Sequence, residues 1–86
     1  MNINQLVEIV KNKLHNNIVC DNIEIQDKTF LHKSHASYDK NKFHIKLIIT
    51  SDYLKKKNKI QSTKEIYKIL EKELKYNIHS IQILIN

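Results

Sequence analysis

Hydrophobic residues recur along this chain at two spacings, and the switches between them mark out its elements. Ile3, Leu6, Val7, Val10 and Leu14 fall three or four apart, the period of one helical face. Asn2 stands where a cap is needed, Gln5 completes a capping box, and Asn16-Asn17 ends the run. From Ile18 to Gln26 the chain reads as a strand, clearest where Ile23 and Ile25 alternate with Glu24 and Gln26. Lys42 to Thr50 places Phe43, Ile45, Leu47 and Ile49 on one face and Ile48 on the other, which predicts a central strand partly covered on both sides. Ser51 or Asp52 caps a short helical turn through Tyr53 and Leu54. Ser62-Thr-Lys-Glu65 reads as the capping box of the longest helix, with Ile66, Tyr67, Leu70 and Leu74 as its apolar stripe and Lys72 and Lys75 suiting its C-terminal dipole. Asn77 is expected to stop that helix in the left-handed conformation. Ile81, Ile83 and Ile85 then alternate as a final half-buried strand.

The predicted order is α-β-β-α-α-β. The first two strands can pair as a hairpin, and the last joins the middle one in parallel through a helical crossover. A three-stranded mixed sheet with helices packed on one face, an α+β fold filling residues 1–86 as a single domain, is the economical arrangement. Between the first two strands, Asp27 to Asn41 is polar and carries His32, Ser34, His35, Ser37 and Asp39. At fifteen residues it is long for a hairpin connection, and loops of that length often carry function.

Composition narrows the function classes. With 86 residues the chain supports one modest core. It has no glycine, which removes every Gly-dependent phosphate cradle, and no nucleophile elbow or HExxH; an enzyme acting alone is not expected. The net charge of +6 rests on fifteen lysines without an arginine, so the bidentate fork used to read bases and phosphates is missing. The single Cys20 excludes an internal disulfide and suits a reducing compartment. No apolar stretch is long enough for a membrane span. The first helix carries Glu8 and no arginine, a poor match to a transit peptide, so the expected location is cytoplasmic, with mitochondrial as the alternative.

Five histidines and Cys20 are the candidates for chemistry. His79 falls where the last helix gives way to the last strand, at the rim of the sheet, where an imidazole can face a partner or an ion. His32-Lys-Ser-His35 can bring two imidazoles near one ion, a weak pattern by itself. His44, out of phase with Phe43 and Ile45, reads as a packed histidine hydrogen-bonded to a neighbour. His15 suits a helix C-terminus, and Cys20 reads as packed.

Several stretches taken in order resemble the BolA family. They are Asp27 and His32 in the loop, His44-Ile-Lys-Leu-Ile-Ile-Thr-Ser-Asp52, Ile66-Tyr67, and Leu70-Glu-Lys-Glu-Leu74 followed by Ile78-His79-Ser80-Ile81. The chain departs from the family pattern at Ser62-Thr63-Lys64, where Arg-His-Arg is usual, at Ile45 for phenylalanine and at Leu31 for glycine. The resemblance implies a KH-like (class II-type) fold and a role as an iron-sulfur cluster trafficking adaptor. It implies a heterodimer with a monothiol glutaredoxin around a shared [2Fe–2S] cluster that the isolated chain does not bind. His79 and His32 would ligate from this chain, with His35 in reserve, and the partner's cysteine and glutathione would supply thiolates. The partner surface would include Lys55, Lys56, Lys57, Lys59, Ile78 and Ser80. The alternative is a nucleic-acid-binding regulator presenting Lys55, Lys56, Lys57, Lys59 and Lys64 to phosphates. Exposed edge strands would also permit a homodimer of the chain alone.

Overall fold

The computed structural model describes residues 1–32 and 42–86, and of Leu31 and His32 the backbone only. Most of the loop expected over Asp27 to Asn41, including His35, therefore lies outside the described residues. Helix α1 (Ile3–Asn17) opens with the expected capping box: Asn2 Oδ1 accepts from the Gln5 N–H at 2.8 Å, and Gln5 Oε1 accepts from the Asn2 N–H at 2.9 Å. Two amides that the helix leaves unpaired are thereby satisfied. Leu6, Val10 and Leu14, one turn apart, are the residues it buries. The helix releases the chain at Ile18, whose backbone is extended and whose side chain enters the core.

Strand β1 (Asn22–Asp27) starts four residues later than the apolar pattern suggests. Ile18 is occupied in the core, and Val19 points to solvent while its carbonyl accepts from Ser51 Oγ at 2.7 Å. Pairing begins only at Asp21, whose N–H reaches the Thr50 carbonyl at 2.8 Å. A single 3-10 turn (Thr29–His32) follows β1, and the next strand is β2 (Phe43–Thr50). Ser51 caps α2 (Asp52–Lys55), and α3 (Lys59–Ile69), α4 (Glu71–Tyr76) and β3 (Ile78–Ile85) complete the chain. Strand β2 is central, antiparallel to β1 and parallel to β3. The helices of the connection from β2 to β3 supply the crossover that parallel pairing requires. Ile23, Ile45, Leu47 and Ile49, with the half-buried Ile81, Ile83 and Ile85, join Leu6, Val10, Leu14, Leu54, Ile66 and Leu70 in one core. The expected α+β architecture and strand order are those observed.

Three local expectations are corrected. Helix α3 is capped by Asn58, whose side chain accepts from the Gln61 N–H at 2.8 Å, four residues ahead of the Ser62 box. Ser62 is instead buried within the helix, donating from Oγ to the Leu54 carbonyl at 2.8 Å and so tying α3 to α2. The long helix is two, bent at Leu70 (φ −97, ψ 17), so α1 with fifteen residues is the longest. Ile66 and Leu70 are buried and Leu74 partly so, whereas Tyr67 is 44% exposed. Asn77 is not left-handed; at φ −126 and ψ −22 it bonds its N–H to the Glu73 carbonyl at 2.8 Å. Its own carbonyl accepts from the Phe43 N–H at 2.9 Å, so the helix end starts the pairing of β2 with β3.

A polar clamp joins α2 to α3. Glu65 Oε1 accepts from the Tyr53 hydroxyl at 2.7 Å and from Lys57 Nζ at 3.1 Å. Lys57 also stands 4.4 Å from the centre of the Tyr53 ring. Burial pushes the Glu65 carboxyl up, but the Tyr53 hydroxyl and the Lys57 ammonium together outweigh it and hold the group below its ordinary 4.5. Because the unfolded chain takes up this proton first, the stability Glu65 contributes is present above 4.5 and lost as the pH falls below it. Glu65→Gln is accordingly expected to flatten the loss of stability on acidification, read as urea midpoints from neutral pH down to about pH 3. An acid limb as steep as that of the parent would mean the clamp contributes nothing.

Candidate functional site

The register of β3 builds the site. Phe43 pairs with Ile78 and His44 with Ser80, so His79 is an extra residue bulged out of the ladder. Ile78 turns into the core at 2% exposure, while His79 and Ser80 are both exposed. The His79 ring stacks on His44, centres 4.7 Å apart and planes 23° from parallel. His44 is 5% exposed and shares a 2.6 Å hydrogen bond between Nδ1 and Ser80 Oγ. One buried, anchored imidazole thus braces a second that meets solvent.

Backbone ties bring the start of the loop to the same end of the sheet. Lys28 N–H bonds to the His44 carbonyl at 2.7 Å, and His44 N–H bonds to Thr29 Oγ1 at 3.1 Å. Asp27 Oδ1 accepts from the Thr29 N–H at 2.9 Å, an Asx turn that starts the 3-10 segment ending at His32. Lys28, His44, Lys46, Ser80 and Gln82 line a groove of about 320 Å³ beside the histidine pair.

Of the residues expected to act, His79 stands at the rim as anticipated, and His44 is the packed, hydrogen-bonded histidine its strand phase suggested. Ile78 cannot present its side chain to a partner because it serves the core. The side chain of His32, and His35 altogether, lie outside the described residues. Lys55, Lys56, Lys59 and Lys64 are exposed, and Lys57 is committed to Glu65. Cys20 lies beside Asp21, which pairs with Thr50 at the far end of β2 from His44. Six residues of strand separate those ends, about 20 Å. Its Sγ is 3.5 Å from His15 Nδ1, and burial, then Asp21, push the thiol up, away from the thiolate that binds metals. Among the described residues no three His, Cys, Asp or Glu side chains converge, and no helix is long and apolar enough to cross a membrane.

The pattern of the BolA-like protein family matches residues 14–86. The chain belongs to the BolA-like family. Solved BolA-like structures share its fold. The BolA domain of SufE1 from Arabidopsis thaliana superposes with a TM-score of 0.79 at 24% identity, over 100% of this chain and 93% of that one. BolA1 from the same plant gives 0.74 at 21% identity, over 92% and 87%. A bol-like protein from Babesia bovis gives 0.69 at 13%, over 91% and 79%. Among curated proteins no significant match is found.

The stacked histidines and the bulge that brings them together were not read from the sequence. A signal was present: Ile78 and Ile81 both face inward but stand three apart, a spacing that period two cannot satisfy without one extra residue.

Proposed function

We propose that this BolA-like protein is an adaptor that binds a monothiol glutaredoxin and contributes His79 as ligand to a shared [2Fe–2S] cluster. The observation that carries the reading is the exposed His79 ring, bulged clear of the ladder and backed by the anchored His44. Imidazole is an accepted ligand on one iron of such a cluster, the remaining ligands being thiolates. The donor set fits a shared site: this chain offers imidazole, and its one cysteine sits at the other end of the sheet with its thiol pushed up. Stacking on His44 restricts the rotation of His79, so a ligand atom is held ready without immobilising a free side chain on binding. Lys28 and Lys46 border the adjoining groove and offset the negative charge that thiolates bring. The second ligand of this chain is His32, whose 3-10 turn is tied to the backbone of His44, with His35 as the alternative.

Mixing the protein with cluster-loaded monothiol glutaredoxin and glutathione is expected to change the visible absorption and circular dichroism and to give a stable one-to-one complex. An unaltered glutaredoxin spectrum with no complex would overturn the reading. A second reading, duplex binding, draws on the exposed Lys55, Lys56, Lys59 and Lys64. Tight binding with a steep salt dependence in the absence of glutaredoxin would favour it.

A further inference from the structure

The opposite end of β3 carries a surface that the histidine site does not use. A groove of about 300 Å³ runs between the α2–α3 junction and β3, with Leu54, Ile83 and Ile85 as its apolar floor. Lys55 and Lys59 border it and are exposed. From Tyr53 to Lys64 the chain has five lysines and no carboxylate. The Glu65 carboxylate that follows is already engaged by Tyr53 and Lys57, which leaves Asp52 at the start of α2 as the one other carboxylate from Asp52 to Glu65 against Lys55, Lys56, Lys59 and Lys64, a surplus of positive charge. On the outer face of α3, Ile60 (69% exposed), Thr63 and Tyr67 extend the apolar strip past Lys59 and Lys64.

Strand β3 is an edge, and its backbone adds direction to this charge. Asn86 bonds through its N–H to the Ile49 carbonyl at 2.8 Å and through its carbonyl to the Ser51 N–H at 3.0 Å. In a parallel ladder alternate residues face the neighbour, so Ile81, Ile83 and Ile85 turn their N–H and C=O groups outward, away from β2. An extended segment laid along this edge would find backbone partners in Ile83 and Ile85, an apolar slot in the groove, and lysines along its border.

We infer that the edge of β3 with the α2–α3 groove docks an extended acidic segment of a partner protein, added as a fourth strand with one apolar side chain seated on Leu54, Ile83 and Ile85. A second copy of this chain does not match, since its own charge is +6. A nucleic acid would use the lysines but neither the apolar floor nor the open strand edge. Ile83 and Ile85 lie four and six residues from His79 on the same strand, about 13 and 20 Å away, so the surface is separate from the histidine site. It would let one chain hold two partners at once.

The test titrates a nine-residue peptide of alternating valine and glutamate into the full 86-residue chain, followed by amide chemical shifts and fluorescence anisotropy. Saturable binding is expected, with the largest shifts at Ile83, Ile85, Leu54 and Thr63. The double variant K55E/K59E should weaken it about tenfold while leaving thermal unfolding unchanged, because both side chains are exposed. A peptide with proline at alternate positions should not bind, since it cannot supply the ladder donors. Three results would overturn the inference: shifts elsewhere than on β3 and α2–α3, equal binding of a valine-lysine peptide, or displacement of the acidic peptide by a tighter-binding oligonucleotide of the same length.

Discussion

Lys13→Ala is expected to lower the unfolding free energy by about 2 to 3 kcal/mol. Glu73 is 3% exposed, and both its oxygens accept from Lys13 Nζ, at 2.9 and 2.7 Å. The pair joins α1 to α4 across sixty residues of sequence. Removing the ammonium leaves a desolvated carboxylate with nothing to offset it. The figure lies below that of a fully enclosed pair because the Lys13 side chain is 36% exposed and partly hydrated. A domain of this size has roughly 4 to 13 kcal/mol of stability in all, and the change should lower its melting temperature by roughly 10 to 20 °C. Replacing both partners together, Lys13→Met with Glu73→Leu, should recover most of the loss, because no orphaned charge remains. Urea unfolding of the parent, of Lys13→Met and Glu73→Leu singly, and of the double variant forms the cycle. If K13A unfolds within 0.5 kcal/mol of the parent (about the scatter of neutral surface changes), the pair does no more than an ordinary surface contact.

His79→Ala should abolish the histidine-type spectrum of the mixed glutaredoxin complex while leaving the fold intact. His79 is exposed and bulged, so its truncation removes a ring stack and little buried surface, and the unfolding midpoint should move by no more than about 1 kcal/mol in equivalent. His44→Ala is the contrasting variant. It removes a buried ring and its bond to Ser80, so stability should fall by about 2 kcal/mol, with the spectrum weakened through loss of positioning. The two variants separate ligation from support: under the proposed function the exposed ring is expected to govern the spectrum and the buried ring the midpoint. An unchanged spectrum in H79A would remove that residue from the ligand set.

Much of the fold could be read from periodicity because burial and spacing are the same fact seen twice. Leu6, Val10 and Leu14, and Ile45, Leu47 and Ile49, are apolar because they face the core, and their spacing states the element that carries them. The errors fall where tertiary context overrides local pattern. Ser62 has every local feature of a cap, yet Asn58 caps first and the serine is needed against the Leu54 carbonyl. Ile18 looks like the start of a strand, but one apolar side chain cannot reveal whether its neighbours have a ladder to join. His79 was visible as a junction residue, and the family resemblance raised the expectation that it is a ligand. Its contact with His44 was not, since 35 residues separate the two and only the strand register brings them together.

The bulge at His79 has a consequence for how the protein can change. On either side of it every residue of β3 is constrained: Ile78 fills the core, Ser80 holds His44, and Ile81 to Ile85 keep their ladder partners. The bulged position alone answers to none of these demands. Substitution there would leave the register unmoved, so the fold tolerates almost any side chain at this point and requires none in particular. Folding thus rests on the other residues of the strand, and under the proposed function the identity of residue 79 can be set by what the protein must hold, independently of what it must be.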